Sequence, residues 1–167
     1  MIIDKNSEML LFRFSNYKRF SFLQEHVSVI KNTGHVWMLK LGRQSNKNKN
    51  KDIMDSGGWM ILRAPKADGG NSFLAKFSEV GDKVPADETY PTYYHEILNG
   101  TDEEFYFSSA ARQWFKLEKI CPITDEEAAS LVISKTGKKV DDVIKTTRTA
   151  VMFVKNEAPI GVREVNV

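Results

Sequence analysis

The chain predicts an α+β fold: a single domain over residues 1–167 whose core is one bent, mostly antiparallel sheet or open barrel, flanked by short helices. Three observations carry that expectation. Three short runs that mix apolar residues with Lys or Arg each open on or beside a tryptophan: 35–43 (HVWMLKLGR), 57–63 (GGWMILR) and 113–123 (QWFKLEKICPI). Apolar-rich runs of this length, bounded by turn residues, read as strands. The second of them folds back through the turn Lys66-Ala67-Asp68-Gly69-Gly70 into 71–80 (NSFLAKFSEV), giving a hairpin with glycines where positive φ is needed. Between residues 17 and 31, Phe20, Leu23, Val27 and Ile30 recur at intervals of three and four, the mark of one helical face.

Each further element follows from its own signals. Residues 9–15 (MLLFRFS) form a first strand, ended by Asn16. The helix of residues 17–31 stops at Asn32-Thr33-Gly34, where Gly34 can take the left-handed conformation. Residues 44–52 (QSNKNKNKD) are polar, basic and low in complexity, so they read as an exposed, mobile loop whose deletion leaves the melting temperature nearly unchanged. An excursion over 81–100 holds Pro85, Pro91 and the cluster Tyr90, Tyr93, Tyr94, with about one helical turn over 93–98. A short strand over 105–108 (FYFS) and the Trp114 strand, running to Pro122, come next. Thr124 is an N-cap followed by three acids, which predicts a helix over 125–134. A second helix over 138–147 turns Val140, Val143 and Ile144 inward, and 150–155 (AVMFVK) closes the sheet.

With 41% hydrophobic residues, 167 residues suit one well-buried core. The net charge of +2 hides segregation: Lys40, Arg43, Lys47, Lys49 and Lys51 occur with no acid among them, whereas residues 79–104 carry eight acids against Lys83 alone. A cation-rich face favours polyanions and an acid-rich one repels them, so the pattern either orients a nucleic acid or is two solvated loops side by side. The single Cys121 excludes an intramolecular disulfide framework and a cysteine-rich zinc site. The opening residues contain no continuous apolar run, and no window is long enough to span a bilayer. The expectation is a soluble, cytoplasmic protein without a membrane partner.

The tryptophans Trp37, Trp59 and Trp114 are either sheet-core residues or stacking faces for a flat ligand. Three tyrosines in five residues, Tyr90 to Tyr94, pose the same choice. Ser108, Ser109 and Arg112 place hydroxyls and a guanidinium between two strands, suited to a base edge or phosphate or simply to a polar turn. Arg63 is a cation held at the end of the sheet, or the partner of an acid. His26, His35 and His95 are far apart, and none has a second ligand at metal-binding spacing, so no metal or cofactor is expected. Adjacent acids Asp87 and Glu88, with Glu103 and Glu104, are the one carboxylate pattern open to nuclease chemistry.

The order of elements, with a Gly-Trp hairpin whose second strand ends in Lys76-Phe77-Ser78-Glu79-Val80, resembles the PUA-like superfamily, and within it the EVE type, over residues 35–154. The parts that carry the resemblance are 35–43, 57–80 and 113–122. The resemblance implies a non-enzymatic module that binds DNA or RNA and seats a nucleobase, plain or modified, in an aromatic-lined pocket. Trp37, Trp59, Arg63, Tyr93, Tyr94, Ser108, Ser109 and Trp114 would line it, and Lys40, Arg43, Lys47, Lys49 and Lys51, with the region 135–148, would contact phosphates. The alternatives are a small hydrolase or nuclease acting through Asp87, Glu88 or His95, and a homo-oligomeric scaffold that uses exposed aromatics as its interface.

Overall fold

The structure, a computed structural model, describes residues 1–99 and 112–167. In chain order these form β1 (Ile2–Ile3), β2 (Glu8–Arg13), α1 (Phe22–Thr33), β3 (Val36–Lys40), α2 (Lys47–Asp55), β4 (Trp59–Arg63), a 3-10 turn (Lys66–Asp68), β5 (Ser72–Gly81), α3 (Tyr94–Leu98), β6 (Gln113–Pro122), α4 (Asp125–Ala129), β7 (Leu131–Ile133), α5 (Val140–Ile144), β8 (Val151–Asn156) and β9 (Ile160–Gly161). The predicted strand over 105–108 lies outside the described residues. Seven strands make one sheet, ordered β3-β6-β5-β4-β2-β8-β7, that does not close into a barrel; β1 and β9 pair separately. Among the described strands only β2 and β4 run parallel, with α1, β3 and α2 between them in the chain, and the other pairings are antiparallel. The fold is α+β with a mostly antiparallel sheet.

Both faces of the sheet are covered, and the sequences of the central strands show why. In β2, Leu10 and Phe12 join one apolar cluster while Met9 and Leu11 join another; in β4, Met60 and Leu62 separate in the same way from Trp59 and Ile61. Alternation with apolar residues on both sides yields the continuous runs MLLF and WMIL. Phe22, Val27 and Ile30 of α1 and Ile53 of α2 complete the first cluster. Leu131, Val140 and Ile160 complete the second. Gly58 marks the entry to β4: its φ is +72°, and a Cβ there would stand 2.3 Å from the Phe77 carbonyl oxygen, so only glycine lets the backbone come this close. Register shifts flank Phe77 where β5 runs along β6.

Helix α1 starts later than the apolar spacing suggested. Tyr17 and Phe20 close a tight turn, with Lys18 at φ 52°, and Ser21 then caps the helix through its hydroxyl, which accepts from Gln24 N. The resulting buried face is Phe22, His26, Val27 and Ile30, and Gly34 ends the helix in the left-handed conformation at φ 90°. The helix expected over 125–134 is only α4, closed by a reciprocal capping box between Thr124 and Glu127, because Leu131 to Ile133 turn into strand β7. The second C-terminal helix is likewise shorter, Val140–Ile144.

The reading of residues 44–52 as a mobile loop is corrected. Asn46 caps α2 by accepting from Lys49 N at 3.0 Å, and the helix buries Asn50 and Ile53. Burial of an amide is costly only when it is unpaired. Here the Asn50 amide nitrogen donates to the Ser45 hydroxyl at 2.8 Å, and that hydroxyl and the Ser45 N–H both donate to the Gln113 side-chain oxygen at 2.9 Å. The Gln113 amide in turn donates to the Ser45 carbonyl at 3.2 Å. Helix α2 is thus pinned to β6 by polar contacts. Replacing Asn50 with Ala is expected to cost about 1–2 kcal/mol of stability in a denaturant titration, whereas a substitution in a mobile loop would cost nothing measurable.

Candidate functional site

The aromatic residues proposed as a base pocket are turned into the core. Trp114 is fully buried, with ring centroids 5.6 Å from Tyr90 and 5.9 Å from Tyr94. Tyr17, Tyr90, Tyr93, Tyr94, Leu39, Ile97 and Trp114 form one buried cluster. The Tyr94 hydroxyl accepts from Leu39 N at 3.1 Å and lies 2.5 Å from His26 Nε2, while His26 Nδ1 is 2.7 Å from the Phe22 carbonyl oxygen. This pattern fixes the tautomer: Nδ1 carries the proton and donates to Phe22, and Nε2 accepts from Tyr94. Burial holds the ring neutral and lowers its pKa to about 4 against the favourable bond to Phe22. Burial also raises the Tyr93 and Tyr94 pKa values. Trp59 is buried in a separate cluster with Met9, Leu11 and Ile61, beneath the Lys76 ammonium at 5.3 Å. The expectation that Trp59, Tyr93, Tyr94 and Trp114 present stacking faces is therefore corrected, since an indole or phenol packed inside the core has no face left for a base. Trp37 stays half-buried, on edge strand β3.

Trp37 belongs to a polar group with His35, Asp87 and Thr89. Asp87 Oδ2 is 3.0 Å from His35 Nε2 and accepts from Trp37 Nε1 at 3.4 Å; the Thr89 hydroxyl is 2.7 Å from the same His35 Nε2. Partial burial works to raise the Asp87 pKa, but bonds from Thr89, His35 and Trp37 outweigh it and hold the pKa at about 2. A nucleophile–His–Asp relay needs its two partners on opposite ring nitrogens. Here hydroxyl and carboxylate share one, so the group ties the edge of β3 to the 87–89 turn and is not arranged for hydrolysis. His95 is exposed and packs edge-on to Tyr90. Among the described residues no cluster of three or more His, Cys, Asp or Glu side chains is placed to hold a metal ion. Arg63 takes the pairing alternative: its Nη1 donates to Asp141 at 2.9 Å and ties β4 to α5. Ser108 and Ser109, like Glu103 and Glu104, lie outside the described residues.

The predicted phosphate-binding cations also separate. Lys40 is buried and points its ammonium at the backbone carbonyls of Leu41 and Arg43, and burial lowers its pKa; the expectation that it contacts phosphate is corrected. Arg43 is exposed. Lys47 and Lys51, one turn apart on α2, line a cavity of about 360 Å³ with Asp82 and Gln113, and Lys47 lies 3.9 Å from Asp82. Lys49 projects from the other side of α2 and meets the second basic region there.

That meeting forms a groove of about 690 Å³ between α2, the β7–α5 segment and β8. Met152, Phe153 and Val143 give it apolar lining, Lys49, Lys135, Lys138 and Lys139 line it against the single acid Asp142, and Ser134, Thr136, Thr146, Thr147 and Thr149 add hydroxyls. The Lys49 ammonium sits 4.7 Å from the Phe153 ring centroid. Arg13 supports the back wall by donating to the Thr147 carbonyl at 2.7 Å. Lys139 is paired with Glu157 at 3.2 Å, an exposed contact; the other three lysines have no carboxylate within 4.0 Å among the described residues. A second cavity of about 420 Å³ continues the groove past the shared residues Lys49, Ser134, Lys135 and Phe153 to Glu8, Asp52 and Ser56. The sequence marks the 135–148 lysines and Lys49 as cations, but Phe153, the one aromatic ring among the groove's lining residues, was legible only as a sheet residue.

No protein family, curated protein or solved structure matches this chain. Among the described residues no helix is long and apolar enough to cross a membrane.

Proposed function

We propose that the protein is a non-enzymatic nucleic-acid-binding module that grips phosphates in the groove between α2 and the β7–α5 segment. The observation that carries this reading is the convergence of Lys49 with Lys135, Lys138 and Lys139 on one hydroxyl-lined concavity, although α2 and the second basic segment are far apart in sequence. Ammonium groups supply charge and hydroxyls supply short, orientable donors, the pairing that phosphate oxygens take up in nucleic-acid complexes. Phe153 replaces the tryptophans as the stacking surface. The resemblance of the element order to PUA-like domains of the EVE type supports the same class of ligand, DNA or RNA, and a reader that does not turn substrate over.

The test is a salt titration of short oligonucleotides, single-stranded and duplex. Changing Lys49, Lys135 and Lys138 together to Ala should weaken binding by a similar factor for every sequence and reduce the logarithmic salt slope by about 2, as expected when three phosphate contacts to a single strand are lost. If no oligonucleotide binds more tightly than micromolar at low salt, the reading is wrong.

A further inference from the structure

The two halves of the groove differ in charge, and that difference points to what each half holds. Towards α5, Asp142 is the one acid lining the groove, and of the lysines there only Lys139 has a further carboxylate partner, Glu157, among the described residues. Towards β2, beyond the wall shared by Lys49, Ser134, Lys135 and Phe153, the carboxylates of Glu8 and Asp52 come in. With two carboxylates against two lysines this end attracts a phosphate less than the lysine-rich end does, whereas an uncharged base meets no such penalty, and about 420 Å³ lies within the range of small-molecule sites. We infer that this end takes one unpaired guanine, its pairing edge on Asp52 and its ring against Phe153, with the sugar-phosphate continuing onto the lysines. This inference rests on the nucleic-acid reading above.

The base follows from what a carboxylate accepts. An ionised carboxylate offers two oxygens and no donor. Guanine presents N1–H and N2–H2 side by side, two parallel donors that fit one carboxylate. Adenine and cytosine set a single amino group beside a ring acceptor, and uracil and thymine flank one imino group with two carbonyls, so in each of these an acceptor lone pair faces the anion. Glu8 is already engaged, accepting from the Ser134 hydroxyl at 2.7 Å, which leaves Asp52 as the recognition group and Glu8 as the residue that positions Ser134. Guanine O6 then accepts from Lys135. In a duplex the same N1–H and N2–H2 groups are bonded to cytosine, so the guanine must be unpaired. A base laid on Phe153 takes the place of the Lys49 ammonium, now 4.7 Å from the ring centroid, and the ammonium is released towards the phosphate.

The experiment compares three single-stranded probes in a thymidine background: all thymidine, one central guanine, and the same oligonucleotide with inosine, which lacks the N2 amino group. The guanine probe should bind about tenfold more tightly than all thymidine, and inosine should lose most of that gain. Asp52→Asn, which turns one acceptor into a donor, should reduce the ratio of guanine to all-thymidine affinity, both measured on the variant, to less than about twofold, while the loss of a negative charge strengthens binding of every strand alike. Both Asp52 and Glu8 are exposed, and a thermal melt of Asp52→Asn checks that the fold is kept. Salt-dependent binding with equal affinity for all three probes overturns the guanine inference and leaves the phosphate reading standing. Absence of binding to any probe overturns both.

Discussion

Replacing Trp114 with Ala is expected to destabilise the protein by about 3–5 kcal/mol, a large share of the stability of a domain this size. The indole is fully buried, walled by Tyr90 and Tyr94, in a cluster that also holds Tyr17, Leu39, Tyr93 and Ile97. Truncation to Ala removes the transfer energy of the ring and leaves a cavity that the neighbouring aromatic rings, themselves hydrogen-bonded or packed, cannot collapse to fill. Trp114→Phe should cost much less. It keeps a ring against Tyr90 and Tyr94, and it deletes an indole N–H that is buried and has no hydrogen-bond partner among the described residues. Denaturant titration of the two variants gives the comparison. A Trp114→Ala protein as stable as the wild type would restore the idea that this ring waits for a ligand.

The long central strands were legible because their signal is local, whereas β7, inside a stretch read as helix, and the two-residue β1 and β9 were not. MLLF and WMIL carry apolar side chains to both faces of the sheet, and a central strand buried on both sides needs nothing else to be read. The hairpin around Gly69 and the helix stop at Gly34 were legible for the same reason, since positive φ singles out glycine. Helix α2 was not. Residues 44–52 contain no apolar side chain, and what holds them is a cap from Asn46 and a bond network from Ser45 to Gln113, 68 residues along the chain. The tyrosine cluster failed in the opposite sense: Tyr90, Tyr93 and Tyr94 read as surplus in a loop, yet they cover Trp114 and supply the partner of a buried histidine. The cation side of the groove was half visible, because Lys49 and 135–148 stand out in the sequence while the pairing of β7 with β8 and the crossing of α2 that bring them together do not.

Acidification should destabilise the protein through His26 well before most carboxylates titrate. The ordinary histidine pKa is 6.5, and in the folded protein burial lowers that of His26 to about 4. Above pH 6.5 the ring is neutral folded or unfolded, so it contributes no pH dependence. Between pH 6.5 and 4 the unfolded chain takes up a proton that the folded chain refuses, and stability falls as pH falls, by about 3 kcal/mol in all. Below pH 4 both states are protonated and this loss levels off. Protonation in place would also break the site, because Nε2–H can no longer accept from the Tyr94 hydroxyl, which itself accepts from Leu39 N. Tyr93 and Tyr94, the ionisable rings that pack against His26, have raised pKa values and stay protonated throughout this window. His26→Gln should be less stable than the wild type at pH 8, for want of the ring packed on Phe22, yet lose less on going from pH 6.5 to 4. Thermal melts of the two proteins across that range test the sign, and an NMR titration of the native His26 ring tests the value directly. Parallel acid limbs for wild type and variant, or a ring that titrates near 6.5 in the folded protein, would mean that the histidine is not held neutral in the core.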